Sequence, residues 1–91
     1  ITVRGHGCHA AMPHQGVDPL VMTAAAVLRL QTIVSREVSP QSQVVVTVGE
    51  FHAGTAENII PAEAYIKLNV RTTDEEVRKH VLEAIKRICI A

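Results

Sequence analysis

From Ala62 to Arg71 the chain alternates without a break: Ala62, Ala64, Ile66, Leu68 and Val70 fall on one side, and Glu63, Tyr65, Lys67, Asn69 and Arg71 on the other. A period of two belongs to a strand with one buried face. This stretch is therefore expected to be such a strand, its polar face turned to water or a ligand. A helical period then takes over. Val77, Val81, Ala84, Ile85 and Ile88 fall on a single stripe, which predicts a helix that packs on one side only. Thr73-Asp74-Glu75-Glu76 reads as a capping box with Thr73 as the N-cap and Glu76 three residues on. Acidic residues lead this helix while Lys86 and Arg87 trail, as the helix dipole favours.

The first half of the chain is patterned differently. Ile1 to Arg4 is β-prone and is stopped by Gly5, so a short strand is expected there. Asp18-Pro19 starts a helix, with Asp18 as N-cap and Pro19 where its missing donor costs nothing. Its apolar residues, running to about Val34, cover more than the roughly 100° stripe that packing on one sheet requires. Something besides the sheet is expected to cover it. Gln43 to His52 carries four valines and a threonine and reads as a strand, in which Gly49 suggests a bulge or a close backbone approach. The resulting order, β-α-β-β-α, predicts an α+β fold of the ferredoxin-like, split-βαβ type: an antiparallel sheet with two helices on one face, its final strand missing or cut.

Composition narrows the field. At 91 residues the chain is read as one domain with a modest core, small enough to lean on a partner. Hydrophobic residues make up 47% and charged ones 20%, the balance of a soluble globular chain. Nine basic residues offset nine acidic ones, which argues against nucleic acid and against a polybasic membrane surface. Tyr65 and Phe51 are too few for an RNA-stacking sheet, and no apolar stretch is long enough to span a bilayer. Two distant cysteines outside any CxxC pair point to a reducing compartment, the cytoplasm. The chain begins with Ile1 and ends abruptly at Ala91, as an excised domain would.

Candidate chemistry concentrates in Arg4 to Pro19, RGHGCHAAMPHQGVDP, which holds three of the five histidines and one of the two cysteines. Glycines 5, 7 and 16 with prolines 13 and 19 oppose regular structure, so a surface loop carrying imidazoles is expected. Three readings compete. The loop is simply solvated; or His6, Cys8, His9 and His14 form a structural zinc site; or the loop is catalytic or substrate-binding. The zinc reading lacks the usual second ligand pair, since Cys89 lies at the far end.

Three stretches carry a family resemblance. Gly5-x-Gly7-x-His9-Ala10-Ala11-Met12-Pro13-His14-x-Gly16-x-Asp18-Pro19 resembles the GxGGHAAxPHxGxDP signature of amidohydrolases acting on N-acyl amino acids, hippurate-like compounds and auxin conjugates. Thr47-Val48-Gly49 through Gly54-Thr55-Ala56-Glu57-Asn58-Ile59-Ile60-Pro61 is similar to TVGxxxGGTAxNVIP, and Val70-Arg71-Thr72 to a strand-end VRT. The chain thus resembles the inserted lid, or dimerisation, domain of the M20 family of metal-dependent peptidases and amidohydrolases, over residues 1 to about 80.

That resemblance implies a larger catalytic domain that binds two divalent metal ions, zinc, manganese or similar, and cleaves the amide bond of a small N-acyl amino acid. No cofactor is expected in residues 1–91 themselves, which should be inactive alone. By position, His9 matches the lid histidine that donates a hydrogen bond to the carbonyl oxygen as it gains charge. Asn58 matches an asparagine that helps hold the same oxygen or the substrate, and Arg71 an arginine that pairs with the α-carboxylate. His14 is read as structural, hydrogen-bonding within the loop. Cys8 stands where the family has a small residue, and is expected to be strained if that residue takes positive φ. A homodimer is expected through helix 19–34 and strand 43–52, because the second strand of a split-βαβ sheet is an edge and this edge carries neither lysine nor proline. The rival class is a free-standing ferredoxin-like module that binds a small molecule or only oligomerises.

Overall fold

The structure is a computed structural model and describes residues 1–90. In chain order it comprises β1 (Thr2–Arg4), β2 (Cys8–His9), α1 (Pro19–Thr32), β3 (Val44–Ala53), β4 (Ile59–Ile60), β5 (Glu63–Thr72) and α2 (Glu75–Ile90). One sheet has the order β1-β5-β3, with β1 antiparallel to β5 and Thr2, Val3 and Arg4 opposite Tyr65, Ala64 and Glu63. The strands on either side of α1 are thus split by β5, which is the arrangement the ferredoxin-like reading requires. A second, two-residue ladder joins β2 to β4, with Cys8 opposite Ile60 and His9 opposite Ile59. The stretch expected to be loop therefore contains short regular pieces: β2, a 3-10 turn at Pro13–Gln15, and a bridge from His6 to Val17. Chain contacts gather in two compact units.

The first unit joins residues 1–25 to 49–67. Its strand β5 keeps the expected alternation: Ala64 and Ile66 are each 1% exposed, while Glu63, Tyr65 and Lys67 face outward. Asp18 caps α1 as predicted, its Oδ1 accepting from the Leu20 and Val21 amides at 2.9 and 3.3 Å. Thr23 on this helix is fully buried, and its hydroxyl has no hydrogen-bond partner among the described residues. Along β3, Val44, Val46 and Val48 are half-buried, whereas Gly49, Glu50, Phe51 and His52 are all exposed, and His52 lies stacked on outward-facing Tyr65. The close backbone approach expected as one option at Gly49 is not there, since a Cβ on Gly49 would meet nothing within 4 Å.

The second unit joins residues 26–48 to those from Leu68 onward. On α2, Val81, Ala84, Ile85 and Ile88 are buried and Val77 half-buried, which is the stripe read from the sequence. Leu30 and Ile33 are fully buried in the same unit. Burying each such side chain is worth about 1.5–3 kcal/mol. Two expectations need correction. The N-cap of α2 is Asp74, not Thr73: its Oδ1 accepts from the Glu76 and Val77 amides at 2.9 and 3.3 Å, so the capping box does not form. α1 does not run evenly to Val34, because Ile33–Glu37 widens into a π-helical turn with the Val38 amide bonded to the Ile33 carbonyl at 3.0 Å. That turn touches α2, and Glu37 accepts two hydrogen bonds of 2.7 Å from Arg87.

α1 retains the apolar excess expected of it. Val21 is 60% and Leu28 72% exposed, with exposed Ala25 between them on the same helix face.

Candidate functional site

His9 sits at the end of β2, where the chain leaves the ladder through the turn His9-Ala10-Ala11-Met12. The Met12 amide donates to the His9 carbonyl at 2.9 Å, and the Ala10 amide to the Asn58 carbonyl at 3.0 Å. The Ala11 amide donates to His9 Nδ1, also at 3.0 Å. Cys8 steadies the far side of the turn, its thiol donating to the Met12 carbonyl at 3.3 Å. The ring is exposed, so Nε2 remains open to a ligand.

Asn58 occupies the turn that leads into β4, in which the Ile59 amide approaches the Ala56 carbonyl at 3.4 Å. The Asn58 carbonyl is used by Ala10, while its exposed side-chain amide makes no hydrogen bond among the described residues. The β2–β4 ladder thus brings His9 and Asn58 together from positions almost fifty residues apart. Their union depends on glycine. A Cβ on Gly7 would stand 2.8 Å from the Ile60 carbonyl oxygen, closer than two such atoms approach, so only glycine lets β2 lie against β4. Gly54, at φ 88°, turns the chain between β3 and the Asn58 turn in a conformation L side chains rarely adopt.

Cys8 is not strained: no residue other than glycine has positive φ among the described residues, and its thiol is used within the turn. His14 lies exposed in the 3-10 turn without a side-chain hydrogen bond among the described residues, so the internal bond expected of it is absent. Among the described residues no three of His, Cys, Asp and Glu gather into a group that could hold a metal ion. His6, Cys8, His9 and His14 share a segment of sequence, not a coordination sphere.

Arg71 belongs to the other unit. It stands on the polar face of β5, exposed and without an ion pair among the described residues, on an open groove of about 740 Å³. Arg78, Ser42, Thr72 and Thr73 line the same groove, and Arg78 is held by Glu75 at 3.1 Å. A free guanidinium beside hydroxyl groups is suited to a carboxylate.

Sequence reading missed a third group. Glu50 and His52 of β3 meet Tyr65 and Lys67 of β5 on the outer face: the His52 and Tyr65 rings stack at 4.8 Å between centroids, and Glu50 lies 3.1 Å from His52 and 3.7 Å from Lys67. The His52 hydrogen bond, and next the Lys67 charge, hold the Glu50 carboxyl below its usual pKa. The group joins residues of two strands separated by more than ten positions, and no local pattern announces it.

Comparison with known proteins gives a consistent result. Residues 1–91 match the family profile of the peptidase dimerisation domain of the M20 group. The hippurate hydrolase of Campylobacter jejuni is 46% identical over 89 residues, which cover 98% of this chain and 23% of that protein. The N-acyl-L-amino acid amidohydrolase of Geobacillus stearothermophilus is 46% identical over 88 residues, 97% of this chain and 24% of that protein. Among solved structures, one from methicillin-resistant Staphylococcus aureus described as an aminohydrolase superposes with a TM-score of 0.93 at 34% identity, over 96% of this chain and 22% of that one. The chain therefore spans roughly a quarter of the length of the relatives it matches.

Proposed function

We propose that this chain, which belongs to the M20 peptidase dimerisation domain family, is the lid of an amidohydrolase that cleaves N-acyl amino acids. Relatives bearing the names hippurate hydrolase and N-acyl-L-amino acid amidohydrolase support that substrate class, and their greater length supports a separate catalytic domain in the same polypeptide. The metal ions on which M20 amidohydrolases generally depend would be held in that domain.

The observation that supports the reading is the β2–β4 ladder, which ends at exposed His9 and is continued by the backbone bond from Ala10 to the carbonyl of exposed Asn58. Each of the two side chains can donate a hydrogen bond. In amide hydrolysis the carbonyl oxygen gains negative charge as the tetrahedral intermediate forms, and donors held in advance stabilise it without reorganising. Arg71 would bind the α-carboxylate of the amino acid, a planar guanidinium meeting two oxygens at once. His9 and Asn58 then serve the reacting bond, and Arg71 selects the substrate.

Replacing His9 with Ala in the full-length enzyme should lower kcat about a hundredfold or more with little change in KM, the loss expected for one oxyanion donor. A variant that keeps most of its kcat would exclude His9 from the reaction.

Self-association belongs to the same proposal. β3 is an edge of the sheet, and Val21, Ala25 and Leu28 leave an apolar strip on α1. Two copies would pair these features about a two-fold axis. Sedimentation should show a dimer that Ala25→Arg converts to monomer; an unaffected dimer would place the contact elsewhere. The free cysteines Cys8 and Cys89 are in keeping with a cytoplasmic enzyme. No helix among the described residues is long and apolar enough to cross a membrane.

A further inference from the structure

The Ala11 amide nitrogen lies 3.0 Å from His9 Nδ1. A backbone N–H only donates, so Nδ1 must accept, and a neutral imidazole that accepts at Nδ1 carries its proton on Nε2. The opposite ring orientation would set a C–H against that amide and leave it unbonded. We propose that the Ala11 amide is a positioning group that presets His9 as an Nε2–H hydrogen-bond donor before substrate arrives. The inference rests on the reading of His9 as a donor to the carbonyl oxygen, and adds what makes it one.

The amide can do this because it is itself held. Ala10 is tied to the Asn58 carbonyl, Met12 to the His9 carbonyl, and the Cys8 thiol to the Met12 carbonyl, so the bonds on either side of Ala11 leave it little freedom to swing. A histidine without such a partner exchanges between two neutral tautomers. In one of them Nε2 is an acceptor, which repels an oxygen gaining negative charge. Fixing the other tautomer removes that unproductive population, and fixing the ring plane aims the N–H.

The same bond separates His9 from a metal ligand. A histidine that binds metal usually donates its second ring N–H to a carbonyl or carboxylate. Here the second ring nitrogen faces a donor. Offering the Nε2 lone pair to a metal would move the proton to Nδ1 and break the bond to Ala11.

The test uses the full-length enzyme with 15N-labelled histidine, at a pH where His9 is neutral. Long-range 1H–15N spectra, with the His9 signals identified by their absence in His9→Asn, should show a protonated Nε2 and an unprotonated Nδ1. Ala11→Gly keeps the amide and should preserve both this pattern and kcat. Ala11→Pro deletes the amide hydrogen and should give a mixed tautomer pattern, with kcat down about tenfold and KM changed by less than about twofold. A wild-type His9 protonated at Nδ1 would overturn the proposal, and that spectrum decides even if Ala11→Pro fails to fold. An Ala11→Pro enzyme with wild-type spectrum and kcat would overturn it as well. Loss of kcat in His9→Ala beside an Nδ1–H wild-type spectrum would sink the tautomer assignment alone and leave the oxyanion role standing. An Nε2–H spectrum beside an unchanged kcat in His9→Ala would instead remove that role, and the proposal with it.

Discussion

Residues 7–10 and 58–60 hold one another through backbone hydrogen bonds, whereas Arg71, near the end of its strand, has no ion pair among the described residues and lines an open groove. The first region spends four local hydrogen bonds on orienting one turn and one ring. The second orients almost nothing: Arg78, which lines the same groove, is tied to Glu75 instead. A rigid region suits a group that must meet an oxygen at one distance and angle as charge develops. An exposed cation suits recognition of a carboxylate, where long-range attraction and a two-pronged fork tolerate adjustment. Geometry should therefore govern turnover in the first region, and charge should govern substrate choice in the second.

The contrast is broken most severely at Gly7. In Gly7→Ala the new methyl meets the Ile60 carbonyl, so the ladder must open and carry His9 away from Asn58. A displacement of about 1 Å can cost a hundredfold in rate, and the strain should lower stability by about 1–3 kcal/mol. Steady-state kinetics with a denaturant curve will show whether both fall; an unimpaired kcat would mean that ladder geometry does not matter. Arg71→Lys is the matching change in the second region. It should weaken kcat/KM about ten- to a hundredfold for substrates with a free α-carboxylate, the range for a hydrogen bond to a charged group, and spare their amidated counterparts. Equal loss on both would make Arg71 structural.

Smaller effects sharpen the contrast by locating what is not specialised. Thr23→Val removes the buried, unpartnered hydroxyl while keeping the shape, and should raise stability by about 1 kcal/mol without touching either region. A melting experiment showing destabilisation would reveal a partner for that hydroxyl. The smallest change concerns the outer sheet face. Because the Glu50 carboxyl is held below its usual pKa, its stabilising contribution is present above the ordinary carboxylate value and is lost as pH falls through the lower folded value. His52→Ala should move the Glu50 titration, followed by NMR, back up toward that ordinary value. An unmoved titration would shift the cause to Lys67.

Much of the fold is legible in short-range pattern. The alternation of β5 and the single stripe of α2 each need only neighbouring residues to be recognised, and Asp18-Pro19 announces α1. What pattern could not supply depends on distant partners or on close competitors. Nothing near Cys8 and His9 specifies that they will pair with Ile59 and Ile60, and the glycines that permit this pairing look locally like breakers of structure. Thr73 and Asp74 are both good caps one residue apart, and which accepts depends on backbone geometry at that residue. The meeting of Glu50 and His52 with Tyr65 and Lys67 likewise depends on the pairing of distant segments, which alternation within one strand does not specify. For the site, the family motifs picked out His9, Asn58 and Arg71, but the Ala11 amide is invisible in a motif because its function lies in the backbone.

If His9 acts as proposed, it binds the transition state better than the substrate. The direct measurement compares, in the full-length enzyme and in His9→Ala, the inhibition constant of a tetrahedral phosphinate analogue of the scissile amide with the affinity for the intact substrate. The analogue should weaken by the same factor as kcat/KM, about a hundredfold or more, while substrate affinity hardly moves. Equal weakening of analogue and substrate, or none of either, would contradict it.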